Sequence, residues 1–199
     1  MNNDSTDAVT SIVSAVREAV GIDFKLMVDV QYAFDDADKV SEMIMEWENL
    51  GLDVFFIETP LRMDQISEIA KLHKILIENN CTTKIAFGEW QATHYEFEEL
   101  VNSAKIDILQ PDVGRVGGLT EAKRVVKLAN VQDKLIVPHV WYGLFFMNWN
   151  LFFIYKAGKP IVSVVLVVVT QQFSYFSITG RLALALPQQL IWLQWQEIN

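Results

Sequence analysis

The sequence predicts an α/β fold with a parallel sheet, and three observations point to it. Short apolar runs alternate with segments of helical periodicity. The runs are apolar throughout rather than alternating, as strands covered on both faces are. Each run also ends at an acidic residue or a histidine: Asp29 after KLMV, Glu58 after DVFFI, Glu89 after KIAFG, Asp112 after IDILQP and His139 after KLIVP.

The elements follow in order. Asp7–Val20 reads as a helix, because Val9, Ile12, Val13, Val16 and Val20 share one face. Lys25–Val30 is a short apolar strand. Asp35–Leu50 is a helix with acidic residues in its first turn, where the helix dipole favours them, and Gly51 at its end. Asp53–Ile57 is the second strand. Asp64–Glu78 is a helix entered from Pro60 and closed near Asn79 and Asn80. Lys84–Phe87 is the third strand, Tyr95–Ser103 a helix and Ile106–Leu109 the fourth strand. Leu119–Ala129 is a helix opened by Gly117 and Gly118, and Leu135–Val137 the fifth strand. Strands separated by such helices are βαβ units.

Composition narrows the function classes. With 199 residues the chain can bury a sizeable core. A formal charge of −9 excludes the basic footprint of a nucleic-acid binder and suits a protein that holds a cation. Cys81 is the single cysteine, so there is no internal disulfide, and a reducing, cytoplasmic setting is expected. As NNCTTK places Cys81 in a helix-to-strand loop, it is not expected to be a nucleophile. The polar, acidic start MNNDSTDAVTS has no signal-peptide pattern.

Character changes after His139. Of the 16 basic and 25 acidic residues, all but Lys156, Lys159, Arg181 and Glu197 precede that break. The tail holds two apolar runs, Leu144–Tyr155 and Pro160–Thr170, and each is shorter than the roughly 20 residues needed to cross a bilayer. Joined, they would bury Lys156 and Lys159 near the membrane centre, so no membrane anchor is expected. The β-branched run in Pro160–Thr170 reads as a buried strand. The remainder, 181–199, has no evident partner elements. Domain boundaries are therefore expected at 1–142 and 143–199.

In a parallel β/α barrel, consecutive strand ends lie side by side on the rim where active sites form. Three strand-end carboxylates, Asp29, Glu58 and Glu89, would suit a hard divalent cation such as Mg²⁺, with positions left for substrate oxygens. That ion would stabilise the enediolate formed when a proton leaves the carbon next to a carboxylate. His139 suits the base, and Asp112 could fix its tautomer through the far ring nitrogen. A lone strand-end carboxylate is more often a helix cap and a lone histidine more often structural; it is the succession of five that carries the reading. His73 lies within a helix, and His94 follows the third strand end.

VDVQ, FIETP, FGEW, ILQPDVGRVGGLTEAKRV and VPHVW resemble the mandelate racemase branch of the enolase superfamily. The resemblance covers roughly residues 5–142. It implies a TIM-type barrel of which this chain holds about strands 3 to 7, with Asp29, Glu58 and Glu89 as Mg²⁺ ligands and an Asp112–His139 dyad. The gaps of 23 and 27 residues from Glu89 to Asp112 to His139 match the family's pattern. Within the branch, the text is most similar to acid-sugar dehydratases, in which the histidine removes the α-proton and then helps the β-hydroxyl leave. The implied partner is a small sugar acid or hydroxy-carboxylate, and the full-length family member is expected to be a homo-oligomer. Gln31 and Trp141 are candidate substrate contacts.

Three departures qualify the resemblance. The ligand motif often reads Asp-x-Asn, whereas here it is Asp29-Val30-Gln31. The family's N-terminal capping domain and first two barrel strands are not recognisable, and the second of those strands normally supplies a Lys-x-Lys motif. After Trp141 the likeness stops, which suggests a frameshift or faulty gene model more than divergence. Two other readings therefore stand beside dehydration. One is a racemase or epimerase of the same branch. The other is a non-catalytic fragment, since five strands cannot close the barrel and the chain alone is expected to be inactive.

Overall fold

A computed structural model of the chain describes residues 4–139, with side chains from residue 6, and the strand backbones of 164–169 and 174–175. The apolar run 144–155, the remainder 181–199 and Trp141 lie outside these residues. The fold is α/β: α1 (Asp4–Val20), β1 (Lys25–Asp29), α2 (Ala37–Asn49), β2 (Val54–Glu58), α3 (Ile66–Glu78), β3 (Lys84–Phe87), α4 (His94–Asn102), β4 (Ile108–Leu109), α5 (Gly118–Val131), β5 (Leu135–Ile136), β6 (Val164–Val169) and β7 (Ser174–Tyr175). The residues group into two compact units, 1–84 with 161–199, and 85–160.

In the first unit, β1 pairs in parallel with β2 on one edge and with β6 on the other, and β7 returns antiparallel to β6. The strands are closed to water: β1 is buried from Leu26 to Asp29, and β2 is buried except for Phe55. The β1–β2 register slips by one residue. Leu26 faces Val54 but Met27 faces Phe56, so Phe55 is an extra residue in β2. The slip brings Asp29 level with Glu58 instead of Ile57.

The helices cover this sheet with the faces their periodicity predicts. On α2 the buried residues Val40, Met43, Ile44 and Trp47 recur at three- and four-residue steps. Asp36 caps its start, accepting from Asp38 N at 2.9 Å. Trp47 is 1% exposed and still has its polar handle satisfied, donating to Thr10 Oγ1 on α1 at 3.0 Å.

Two polar side chains tie down the strand entrances. Arg17, buried at the end of α1, donates Nε to Leu52 O at 2.8 Å and Nη2 to Asp53 O at 3.0 Å. Its Nη1 donates to Gly21 O at 2.6 Å and Phe24 O at 2.9 Å. One guanidinium thus satisfies four carbonyls just before β1 and β2, using the five-donor fork that only arginine has. Before β3, the Glu48 carboxylate accepts from Thr82 N at 2.7 Å, Thr83 N at 2.9 Å and both threonine hydroxyls at 3.0 Å.

In the second unit, β3, β4 and β5 are parallel, with Ala86 facing Ile108 and Ile108 facing Leu135. Helices α4 and α5 bury Phe97, Leu100 and Val101, and Ala122, Val125 and Ala129. Gly117, with φ +102°, caps α5 in a conformation that L side chains rarely adopt.

Candidate active site

Strand ends in each unit carry the predicted residues. Asp29 and Glu58 belong to the first unit; Glu89, Asp112 and His139 belong to the second.

In the second unit, Gly88 leads β3 into Glu89 with φ +127°. A Cβ at this position would lie 2.3 Å from Phe97 Cε1, so the chain turns here only because Gly88 has no side chain. Past β4, Asp112 is buried inside a tight loop. Its Oδ1 accepts from Gly114 N at 2.7 Å, and its backbone carbonyl accepts from Arg115 N and Val116 N at 3.0 and 2.8 Å. Past β5, His139 reaches both neighbours. Nδ1 lies 2.8 Å from Asp112 Oδ2, and Nε2 lies 3.0 Å from Glu89 Oε2. Both contacts are satisfied together only by a ring that carries both protons.

These neighbours set the charge on Asp112. Burial pushes its carboxyl up, but the hydrogen bonds from His139 and Gly114, with the charges of His139 and Arg115, outweigh burial and hold it below the usual carboxylate range. Asp112 thus stays an acceptor, able to hold His139 with a proton on Nδ1 and leave Nε2 for proton transfer.

Arg115 and Trp90 flank this group. The Arg115 guanidinium lies 3.6 Å from the centroid of the Trp90 ring, and its Nη1 is 3.5 Å from Glu89 O. His94, the other histidine near a strand end, is tied at Nδ1 to Glu121 Oε2 at 2.6 Å. Glu121 also pairs with Arg124. This contact fastens the start of α4 to α5. Gln110 Oε1 is buried with no hydrogen-bond partner among the described residues.

In the first unit, Asp29 and Glu58 are both buried at the ends of neighbouring parallel strands. Asp29 Oδ1 accepts from Gln31 N at 2.9 Å and from Thr59 Oγ1 at 3.0 Å. Gln31, Tyr32 and Thr59 all have φ between +45° and +59°, a conformation costly for side-chain-bearing residues and concentrated at functional sites. Tyr32 N donates to Thr59 O at 2.7 Å, which ties the two strand exits together. Gln31 itself is exposed, and it is its backbone N–H that meets Asp29.

The sequence motifs contain Thr59, Trp90 and Arg115 but assign them no role. Thr59 follows Glu58 directly within FIETP, so the motif held the signal. Among the described residues, no group of three or more Asp, Glu, His or Cys side chains is arranged to hold a metal ion. The donors nonetheless suit a hard cation in their chemistry: Asp29 and Glu58 are buried carboxylates level with one another, and such a pair gains from a compensating positive charge. Burial, with the charge of Glu48, pushes the Cys81 thiol up.

Strand–helix units with chemistry at the strand exits define a protein of the (β/α) barrel class. The Enolase C-terminal domain-like family model matches residues 1–158, and the chain belongs to that family. It is 33% identical over 133 residues to the arabinonate dehydratase of Saccharolobus solfataricus, which covers 66% of this chain and 33% of that protein. It is 31% identical over 134 residues to the D-galactarolactone cycloisomerase of Agrobacterium fabrum, covering 65% and 32%. Among solved structures, the L-talarate dehydratase from Polaromonas sp. JS666, complexed with Mg and L-glucarate, has a TM-score of 0.60 and 27% identity, covering 68% of this chain and 36% of that one. The chain therefore spans about a third of the length of the curated relatives it matches. No described helix is long and apolar enough to cross a membrane.

Proposed function

We propose that this chain carries part of the active site of a Mg²⁺-dependent enzyme that removes the proton α to the carboxylate of a sugar acid and dehydrates it. The observation that carries the reading is the Asp112–His139 contact of 2.8 Å, with the second ring nitrogen turned toward a carboxylate at a strand exit. The dehydratase and cycloisomerase relatives support the substrate class.

In this reading the reacting form of His139 is the singly protonated ring: Asp112 holds it by Nδ1–H, and the unprotonated Nε2 turns from Glu89 to take the α-proton. The same nitrogen then returns that proton to the departing β-hydroxyl, which leaves as water, and the resulting enol becomes a keto acid. Asp29, Glu58 and Glu89 are the proposed Mg²⁺ ligands, on the motif text and the oxygen-only donor set. When bound, the ion would supply Lewis-acid stabilisation of the enediolate charge. Gln31 and Trp141 remain proposed substrate contacts. The proposed setting is the cytoplasm, and the proposed assembly of the full-length enzyme a homo-oligomer.

Two other readings stand beside dehydration. One is a racemase or epimerase of the same branch, which needs a second base facing the first; the resemblance assigns that base to a Lys-x-Lys strand before β1. The other is a non-catalytic chain.

The deciding experiment is α-proton exchange in deuterated solvent, with the folded chain, Mg²⁺ and a panel of sugar acids, read by NMR. Exchange that disappears in His139→Asn supports the proposal. Exchange undiminished in that variant removes His139 from the mechanism. A folded chain that exchanges no substrate favours the non-catalytic reading.

A further inference from the structure

We infer that Glu121, which the reaction proposed above does not use, positions Glu89 against His139 by clamping the β3 exit loop onto the β4 exit loop. Its bearing on catalysis rests on the reading that Glu89 and His139 share one active site; the contacts that make the clamp do not.

Glu121 stands in the first turn of α5, which opens directly from the loop of Asp112. Gly118 N donates to Val113 O at 3.1 Å, and Val116 N to Asp112 O at 2.8 Å. From there Glu121 Oε2 accepts twice from the first residue of α4. His94 N donates to it at 3.2 Å, and the His94 ring lies 2.6 Å away at Nδ1. These two hydrogen bonds, the ring's ahead of the backbone's, hold the Glu121 carboxyl below the usual carboxylate range, so it stays a charged acceptor. One oxygen thus satisfies a helix N–H that has no partner inside the helix and fixes the side chain of the same residue. Gly117 makes room for this. A Cβ there would sit 3.1 Å from Glu121 Cγ and 3.6 Å from Ala92 O, so both exit loops and the carboxylate meet at one bare α-carbon.

Helix α4 carries the constraint back to the site. Its Phe97 ring is buried and rests on Gly88, where an added Cβ would lie 2.3 Å from Cε1. Gly88 is the residue before Glu89. The path therefore runs from Glu121 through His94 and Phe97 to Gly88 and Glu89. Asp112 hangs from the same stretch of chain that opens α5. His139 is held from both sides, by Asp112 at 2.8 Å and by Glu89 at 3.0 Å, when α4 keeps its place against α5. Loss of the clamp should free the Glu89 side alone, because Asp112 is braced within its own loop by Gly114 N at 2.7 Å. Glu121 touches none of the reacting groups and acts as a positioning residue.

Nitrogen-15 NMR of the full chain tests this without substrate. At mildly acidic pH the His139 ring carries both protons, and each N–H reports one side of the grip. Melting curves show that each variant is folded. Glu121→Ala should speed solvent exchange of the His139 Nε2–H by about tenfold or more, the equivalent of one lost hydrogen bond, and leave that of Nδ1–H within about threefold. Glu121→Gln, which keeps an acceptor oxygen for His94, should restore most of the protection. Should Glu121→Ala fail to fold, His94→Phe, which keeps a ring but removes its donor, carries the same test. Equal loss at both nitrogens is a general loosening and overturns the inference. So does no change at either, or a Nε2–H that is already unprotected in the unaltered chain. None of these results bears on the sugar-acid reading, which stands or falls on α-proton exchange in His139→Asn.

Discussion

His139 Nε2 lies 3.0 Å from Glu89 Oε2, so the proposed base and a proposed metal ligand meet directly. The nitrogen that must accept a proton is engaged by the carboxylate that the family resemblance assigns to the cation. A cation that draws on Glu89 would compete with His139 for it, so in the proposed site metal loading and release of the base would be linked.

The first prediction concerns the other side of the ring. Asp112→Asn preserves shape but lets an amide N–H face Nδ1, which favours the wrong tautomer. In a catalytically competent enzyme, α-proton exchange should fall by about 10²- to 10⁴-fold, with the melting temperature little changed. A loss of less than about threefold would show that Asp112 does not orient His139.

Mg²⁺ should stabilise the folded chain. At a hundredfold excess over its dissociation constant, one bound ion adds about 2.7 kcal/mol. Thermal melts with Mg²⁺ and with chelator should separate, and Asp29→Asn should narrow the gap. Superimposable melts in the unaltered chain would count against a formed site.

Glu48 should give a pH-dependent contribution to stability. Burial pushes its carboxyl up, but the N–H and O–H groups of Thr82 and Thr83 outweigh this and hold it below the usual range. Because the folded value is the lower one, the stabilisation is fully present above the ordinary carboxylate value of about 4.3 and fades as pH falls through the folded value. Glu48→Ala should cost about 1–2 kcal/mol at neutral pH, for hydrogen bonds to a charged acceptor, and progressively less as the pH is lowered into the acid range. Denaturant titrations across that range would test it, and a pH-independent difference would assign the cost to packing.

Gly88→Ala should damage both fold and site. The added methyl meets the Phe97 ring at 2.3 Å, in a backbone conformation that favours glycine. Overpacking of this kind costs about 1–3 kcal/mol, and the displaced Glu89 should also weaken Mg²⁺ binding. Phe97→Leu in the same chain should recover part of the stability. No recovery would place the cost in the backbone rather than the ring.

Much of this was legible in the sequence for a local reason. A buried parallel strand must be apolar throughout, so KLMV and DVFFI announce themselves, and the residue that ends each run is located to within a position. The β-branched run in Pro160–Thr170 likewise reads as a strand. What the sequence could not show depends on partners distant along the chain. That β6 would lie against β1 follows from no local pattern. Arg17 looks like an ordinary charge near a helix end; only the approach of residues 21, 24, 52 and 53 makes it a buried hub. The motif marks Thr59, but not its backbone: φ +45° is a conformation that its side chain disfavours. The contact between His139 and Glu89 joins residues fifty positions apart, which spacing alone does not bring into register.

Arg17 fastens the entrances of β1 and β2, while Asp29 and Glu58 stand at their exits, four residue steps or roughly 13 Å away. Durability and chemistry thus occupy opposite ends of the same strands and draw on different side chains. The exit loops, with their strained backbones, can be rewritten while the knot of carbonyls around one guanidinium stays as it is. For an engineer this makes the chain a socket: the fitting can be exchanged because the part that grips the wall lies elsewhere.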